Sequence, residues 1–346
     1  MIRFTVLITA ALFLFANALS AQTTRYKVAT VAFYNVENLF DTIKSPDTRD
    51  DEFLPEGKYA WTAERYFKKL DKLSEVISQI NEAYIEGGPM ILGISEVENR
   101  SVLEDLIKTP RLINSNYGIV HYDSPDERGI DVALLYRKDF FTIIDSSSHP
   151  LKFDFDEEDE TRAQLLVKAE HDGEIFYFMV NHWPSPGGGK KATQPKREAA
   201  ADQSRELSDS ILAVNPDAKI IIMGDLNNNP DANAMTKHLK AKKDKDRLKE
   251  DEFYNPFYTL HKRGIGSNAY RDAWSLFDQL VLSENLISDD NSSFVYWKAG
   301  VFSRKFMIQK DGRFAGYPKR TFSYDRFQNG YSDHFPSYVL LIKRVE

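Results

Sequence analysis

The chain has 346 residues, 42% of them hydrophobic and 28% charged, a globular composition that excludes a disordered, collagen-like or multi-span membrane protein. Its 45 basic and 52 acidic side chains leave a net charge of −7, so overall charge alone does not make it a nucleic-acid binder, although a local basic groove is compatible with that charge. The absence of cysteine removes disulfides, thiolate metal sites, a cysteine nucleophile and a lipoprotein anchor together.

In chain order, residues 1–21 come first and have the layout of a secretory signal peptide. Arg3 gives a positive start, Phe4 to Ala16 carry no charge, and Ala18, Ser20 and Ala21 supply small residues for a cleavage site. The apolar run is shorter than the ~20 residues of a membrane-spanning helix. Cleavage near Ala21–Gln22 removes only the charge of Arg3, leaving −7 − 1 = −8. A secreted or periplasmic monomer without a stable membrane anchor is expected.

The mature chain begins with a buried strand predicted over Val28 to Tyr34, rich in branched and aromatic residues. Thr62 to Ile80 reads as a helix, with Leu70, Leu73, Ile77 and Ile80 on one face. Met90 to Ile94 is a short apolar run. Strands are predicted over Val132 to Tyr136, Gln164 to Ala169 and Ile175 to Val180, and a helix over Pro195 to Leu212. Apolar strands follow at Ile220 to Met223, Phe277 to Leu282 and Tyr338 to Ile342. Without an internal repeat or a Pro/Gly/Ser linker, residues 25–346 read as one domain.

These apolar runs end repeatedly in polar clusters: Asn35 and Glu37, Glu96 and Glu98, Asn181 and His182, Asp225 and Asn227, then Asp278, with Asp333 and His334 ahead of the last strand. Carboxylates beside apolar runs are costly to bury unless something compensates them. If the strands lie side by side, the clusters meet on one rim. Asp, Glu and Asn oxygens without thiolates suit a hard cation, Mg²⁺, Mn²⁺ or Ca²⁺. Histidines beside carboxylates suit proton transfer near neutral pH. Together they fit metal-assisted hydrolysis of a phosphate ester. There is no HExxH or GxSxG motif, and Gly187-Gly188-Gly189-Lys190 lacks the spacing of a phosphate loop, so it reads as a flexible loop.

The ordered motifs FYNVENLFD (33–41), GISEVENR (93–100), RGIDVALLYR (128–137), VNHWPS (180–185), MGDLNNNP (223–230), FDQLVLS (277–283) and YSDHFP (331–336) resemble the endonuclease/exonuclease/phosphatase superfamily over nearly all of the mature chain. That superfamily includes pancreatic-type deoxyribonucleases and secreted bacterial nucleases. The resemblance implies an α/β fold, a four-layer sandwich with two packed mixed β-sheets and the active site in loops at one end. It implies a metal site at Glu96, helped by Asn35 and by Asp333. It implies that Asp225 and Asn227 orient or activate water and bind phosphate oxygens, and that Asp278 fixes the tautomer of His334. His182 stands where nuclease and sphingomyelinase-like branches carry a histidine at the scissile phosphate or leaving group, with Glu98 and Glu37 as alternative carboxylate partners. Asp131 stands where many relatives carry a small residue.

Two basic stretches bear on substrate. Lys237 to Lys249 interleaves lysines with Asp244 and Asp246. Ser303 to Arg320 mixes Arg304, Lys305, Lys310, Arg313, Lys319 and Arg320 with Phe306, Phe314 and Tyr317, a pattern that suits a nucleic-acid backbone and stacked bases. Lys319 and Arg320 precede the SDHFP motif closely enough to border the site as substrate-binding residues. Arg197, near a helix start, reads either as a phosphate clamp or as a solvated helix charge. The five other histidines, 121, 149, 171, 238 and 261, fall in no motif and read as surface or packing residues.

The expectation is a secreted metal-dependent phosphodiesterase, a nuclease acting on DNA or RNA. Its competitors are a phosphatase, a sphingomyelinase-like lipid phosphodiesterase using Phe253, Tyr254, Phe257 and Tyr258 at a membrane, and a non-catalytic binding module. None of the principal motif residues is missing, which disfavours the last.

Overall fold

A computed structural model describes residues 24–46, 48–249 and 251–345; the predicted signal segment lies outside them. Among the described residues the chain runs β1 (Arg25–Leu39), α1 (Ala63–Ile77), β2 (Ile91–Val97), α2 (Arg100–Ile107), β3 (Tyr117–His121), β4 (Asp131–Arg137) and β5 (Thr142–His149). It continues through β6 (Gln164–His171), β7 (Glu174–His182), α3 (Gln194–Val214), β8 (Lys219–Asp225), β9 (Ala241–Lys242), β10 (Phe253–Tyr254) and α4 (Phe257–Lys262). It ends with β11 (Asn268–Tyr270), β12 (Ala273–Ser275), β13 (Asp278–Ser283), β14 (Val295–Val301), β15 (Phe322–Ser323), β16 (Arg326–Phe327) and β17 (Ser337–Val345).

Two large mixed sheets result, one in the order β14-β17-β1-β2-β4-β3 and the other β5-β6-β7-β8-β13-β10-β9. The central strands are apolar on both faces, as strands covered on both sides must be. In β1, Ala29, Val31 and Phe33 point at the second sheet and meet Val167, Phe178, Ile221 and Leu280. The alternate residues Ala32, Tyr34 and Val36 point the other way, against Leu70, Leu73 and Ile77 of α1 and Leu103 of α2. On the outer face of the second sheet, Ile220 and Ile222 pack with Ala200 and Ala201 of α3. The layers are therefore helix, sheet, sheet, helix, the expected four-layer sandwich.

The predicted strands and helices are present, most of them extending past the apolar runs, whereas α1 ends at Ile77, short of the predicted Ile80. β3, β5 and β14 were not read from the sequence. β5, TIIDSSSH, is an edge strand whose residues are exposed or half-buried, so burial writes no apolar pattern into it. Topology brings the polar clusters to one end. β1 and β2 run parallel, as do β7 and β8, so Asn35, Glu96, His182 and Asp225 stand at their C-terminal ends. β13 and β17 run antiparallel to β8 and β1, which places Asp278 and the residues ahead of Ser337 at the same end. Gly224 allows the close approach there: a Cβ on it would lie 2.3 Å from the Asn181 carbonyl oxygen of β7.

Candidate active site

Register sets the centre of the site. His182 pairs with Asp225 across β7 and β8, and Asp225 with Asp278 across β8 and β13, so three functional residues stand in a row on neighbouring strands. From the other sheet, Asn35 donates from Nδ2 to Glu96 Oε1 and to Asp225 Oδ2, both at 3.1 Å, and so bridges the sheets. The Asn38 backbone N–H donates to Glu96 Oε2 at 2.9 Å. Glu37, Asn38, Glu96 and Asn227 all have positive φ, between 46° and 63°. Such left-handed non-glycine residues are costly and cluster where a chain is forced to aim side chains at a site.

Asp278 is fully buried, and its Oδ2 lies 2.7 Å from His334 Nδ1. That contact puts a proton on Nδ1 and turns Nε2 toward Asp225 Oδ2, 3.9 Å away. Burial opposes a charged imidazole, but the carboxylates of Asp278, Asp225 and Asp333 outweigh it and hold His334 well above the ordinary histidine value. His182 behaves oppositely. Burial, with the positive charges of Arg162 and Arg128, pushes it well below that value. The two histidines are thus pushed in opposite directions, a separation typical of acid and base assignments. Burial, reinforced by Asp278, raises Asp225 to about 7 against the pull of His334 and Asn35.

His182 Nε2 lies 3.7 Å from Asp225 Oδ2 and 3.9 Å from Glu96 Oε1, so neither Glu98 nor Glu37 is its partner. Glu98 accepts from the Asp41 N–H and the Ser45 hydroxyl. Glu37 accepts from the Thr321 N–H and lies 3.8 Å from Lys69 Nζ and 3.7 Å from the Arg320 guanidinium. His182 Nδ1 is buried without a partner. The carbonyl of Trp183, next in the chain, accepts from Asn227 Nδ2 at 2.8 Å and from Arg162 at 3.0 Å, which fixes the strand end that carries His182.

The donor set fits a hard divalent cation. Glu96 and Asp225 offer oxygens at one place, tied together by the Asn35 Nδ2 donor, Asp333 flanks them, and Asp225, Asp278 and His334 carry ligand atoms all within 4.8 Å of one another. The His334–Asp278 contact spends one atom of each, which leaves the oxygens facing Glu96 as the better seat.

The Endonuclease/Exonuclease/phosphatase family profile matches residues 30–343. The chain belongs to the endonuclease/exonuclease/phosphatase family. Its superfamily comprises hydrolases of phosphoric esters, and the fold is that of these phosphodiesterases and phosphatases. An endonuclease/exonuclease/phosphatase family protein from Bacteroides thetaiotaomicron is similar, with a TM-score of 0.57, 16% identity, and coverage of 93% of this chain and 100% of that one. A mannosyl-6-phosphatase from the same organism gives 0.55, 16% identity, 90% and 99%. TDP2 of D. rerio in complex with a single-strand DNA product gives 0.54, 13% identity, 91% and 98%. These likenesses establish the fold. The comparison with curated proteins found no match. Among the described residues no helix is long and apolar enough to cross a membrane.

Against the family's motif positions, Asn35, Glu96, His182, Asp225, Asn227, Asp278 and His334 come together, and Asp333 joins their flank with Arg320 bound to it at 2.5 Å. Lys319 stays apart: it is half-buried and makes no ion pair among the described residues. Arg197 is a correction. It is 1% exposed, and its guanidinium donates to Thr193 Oγ1 at 2.7 Å, to the Lys190 carbonyl at 2.9 Å and to the Pro184 carbonyl at 3.4 Å. It is neither a phosphate clamp nor a solvated charge; it ties down the loop that follows His182. Arg197→Met is expected to destabilise the fold by about 2–3 kcal/mol, because it orphans buried acceptors. Urea unfolding would give a lower midpoint while KM stays within about twofold; a raised KM at an unchanged midpoint would restore the clamp.

Two further expectations change. Phe253 and Phe257 are buried, so they offer no apolar hairpin to a membrane. The first basic stretch is neutralised by pairs such as Lys240–Asp251 and Lys242–Glu252, and β9 joins through β10 to the Leu282–Ser283 end of β13, opposite Asp278. His121, read as a packing residue, is paired at 2.9 Å with Asp131. Lys69, on the helix predicted over Thr62 to Ile80, has a role that the sequence motifs do not mark. It is buried, and it donates to Thr321 Oγ1 at 2.5 Å and to the Tyr331 carbonyl at 2.8 Å, holding the segment that carries Arg320. The available signal was a lysine inside the apolar stripe of Tyr66, Leu70 and Leu73.

Proposed function

We propose that the protein is a secreted, metal-dependent phosphodiesterase acting as a monomer, and specifically a nuclease that hydrolyses DNA or RNA. The observation that carries the reading is the row His182–Asp225–Asp278 facing Asn35 and Glu96 across the two sheets, with His334 held by Asp278. Export rests on the order of residues 1–21.

Glu96 and Asp333 would hold the cation, Mg²⁺, Mn²⁺ or Ca²⁺, with Asn35 positioning the Glu96 carboxylate; when bound, the cation offsets charge on the phosphoryl oxygens. Asp225, raised toward neutrality, suits a base that takes a proton from the attacking water, and the Asn227 side chain steadies the strand end beside it. The cationic His334 offers its Nε2–H to a phosphoryl oxygen. Neutral His182 faces the same space from the other side, at the phosphate or the leaving group. Its Nε2, 3.7 Å from Asp225 Oδ2 and 3.9 Å from Glu96 Oε1, is the ring atom turned into the site, which supports a role toward substrate.

The test compares bis-nitrophenyl phosphate, the monoester and sphingomyelin under Mg²⁺. Preference for the diester over the monoester, with no lipid turnover, supports the reading. Preference for the monoester would make the protein a phosphatase, and lipid turnover would make it a lipid phosphodiesterase.

A further inference from the structure

Beside the site lies a cleft of about 630 Å³. Its inner end is formed by Glu37, Asn38 and Asp333, so it opens directly onto the carboxylates around Glu96. Its floor is aromatic, with Tyr59 and Phe322 tilted together at 4.5 Å between ring centres. Its far wall carries Phe314 and Tyr324, 6.3 Å apart, and Tyr324 is 82% exposed. The β11–β12 hairpin adjoins that wall, and its tip bears Tyr270, 70% exposed, and Arg271.

The hairpin is built to hold that tip in place. Its base bridges at Asn268 to His334, and the Phe335 N–H donates to the Ser267 carbonyl at 2.7 Å. The turn residues Arg271 and Asp272 have φ of 48° and 64°, left-handed positions usually given to Asn-Gly. Asp272 is secured there by Arg313 at 3.0 Å and by the Tyr317 hydroxyl at 2.6 Å. Arg271 has no carboxylate within 4.0 Å among the described residues, although it occupies the same costly conformation. A strained, strapped turn that presents an arginine without a carboxylate partner, its guanidinium 5.2 Å over the Tyr270 ring, suits a ligand with flat apolar faces and anionic links.

We propose that this cleft is a nucleobase subsite: Tyr324 and Tyr270 stack an unpaired base of the nucleotide next to the scissile phosphate, and Arg271 meets a flanking phosphate. The proposal rests on the nuclease reading and deepens it, because a base inside a duplex cannot enter the cleft. The enzyme therefore prefers single-stranded nucleic acid. A lipid chain does not match three arginines along the walls, Arg271, Arg313 and Arg320.

The test measures turnover of a single-stranded oligonucleotide, the same strand in a duplex, the same strand with an abasic nucleotide at the cleavage position, and bis-nitrophenyl phosphate. The wild-type protein should favour the single strand over the duplex and over the abasic strand by about 10-fold, the scale of one lost base stack. Tyr324→Ala should lower the ratio of oligonucleotide to small-diester turnover by about 10-fold. Arg271→Ala should raise KM for the oligonucleotide and reduce its salt slope by about 1. Tyr84→Ala, outside the cleft, is the control. Equal turnover of all the nucleic acids, with ratios unmoved by Tyr324→Ala, overturns the subsite and leaves the nuclease reading intact. Turnover of the small diester with none of any oligonucleotide overturns the nuclease reading and the subsite with it.

Discussion

Replacing His334 by alanine is expected to lower kcat on bis-nitrophenyl phosphate by about 10²–10³-fold, with KM changed by less than about threefold. His334 is 7% exposed, and four strand ends fix its surroundings, so no water molecule reproduces both its direction and its charge. The loss falls on kcat because an Nε2–H aimed at a phosphoryl oxygen gains most as charge develops there. Asp278→Asn is expected to cost about 10–10²-fold. It keeps the shape but removes the anion 2.7 Å from Nδ1 that fixes the proton and sustains the imidazolium. Steady-state rates of both variants, with thermal melts to confirm folding, provide the check. Two folded variants of wild-type kcat would remove the pair from the reaction.

Glu96→Gln is the second large effect. The carboxylate is held by the Asn35 amide and the Asn38 N–H on a residue with φ of 63°, so its position is set by three elements at once. The amide fills the same space but loses the charge, and its NH₂ faces a donor where Oε now accepts. The Mg²⁺ concentration for half-maximal rate should rise by about 10–10²-fold, and kcat at saturating metal should still fall by at least about 10-fold. Rate against Mg²⁺ for wild type and variant separates the two effects. An unchanged metal curve would move the cation away from Glu96.

Much of this site was legible because its residues end apolar strands. A strand buried on both faces writes a continuous apolar run, and the polar residues that close it, Asn35, Glu96 or Asp225, mark the end of the strand. The partnerships were less legible. Asp278 and His334 are 56 residues apart, and only the antiparallel placement of β13 and β17 brings them together. The partner of His182 stayed open between Glu98 and Glu37 because both follow strand ends, yet cross-strand register selects Asp225. Arg197 misled because a helical arginine after a loop has the same local sequence whether it faces phosphate or backbone carbonyls. The hairpin at Arg271–Asp272 left little signal, since Arg is not a turn residue and Asp272 is followed by Ala273 rather than by Gly.

The proposed function requires this rim to hydrolyse phosphodiesters with a metal and His334. Nicking of supercoiled plasmid tests it most directly, with Mg²⁺ or chelator and wild type or His334→Ala run side by side. Nicking is expected from the wild-type protein with Mg²⁺ and in none of the other three lanes. Nicking that persists in chelator, or in the His334→Ala protein, would contradict it.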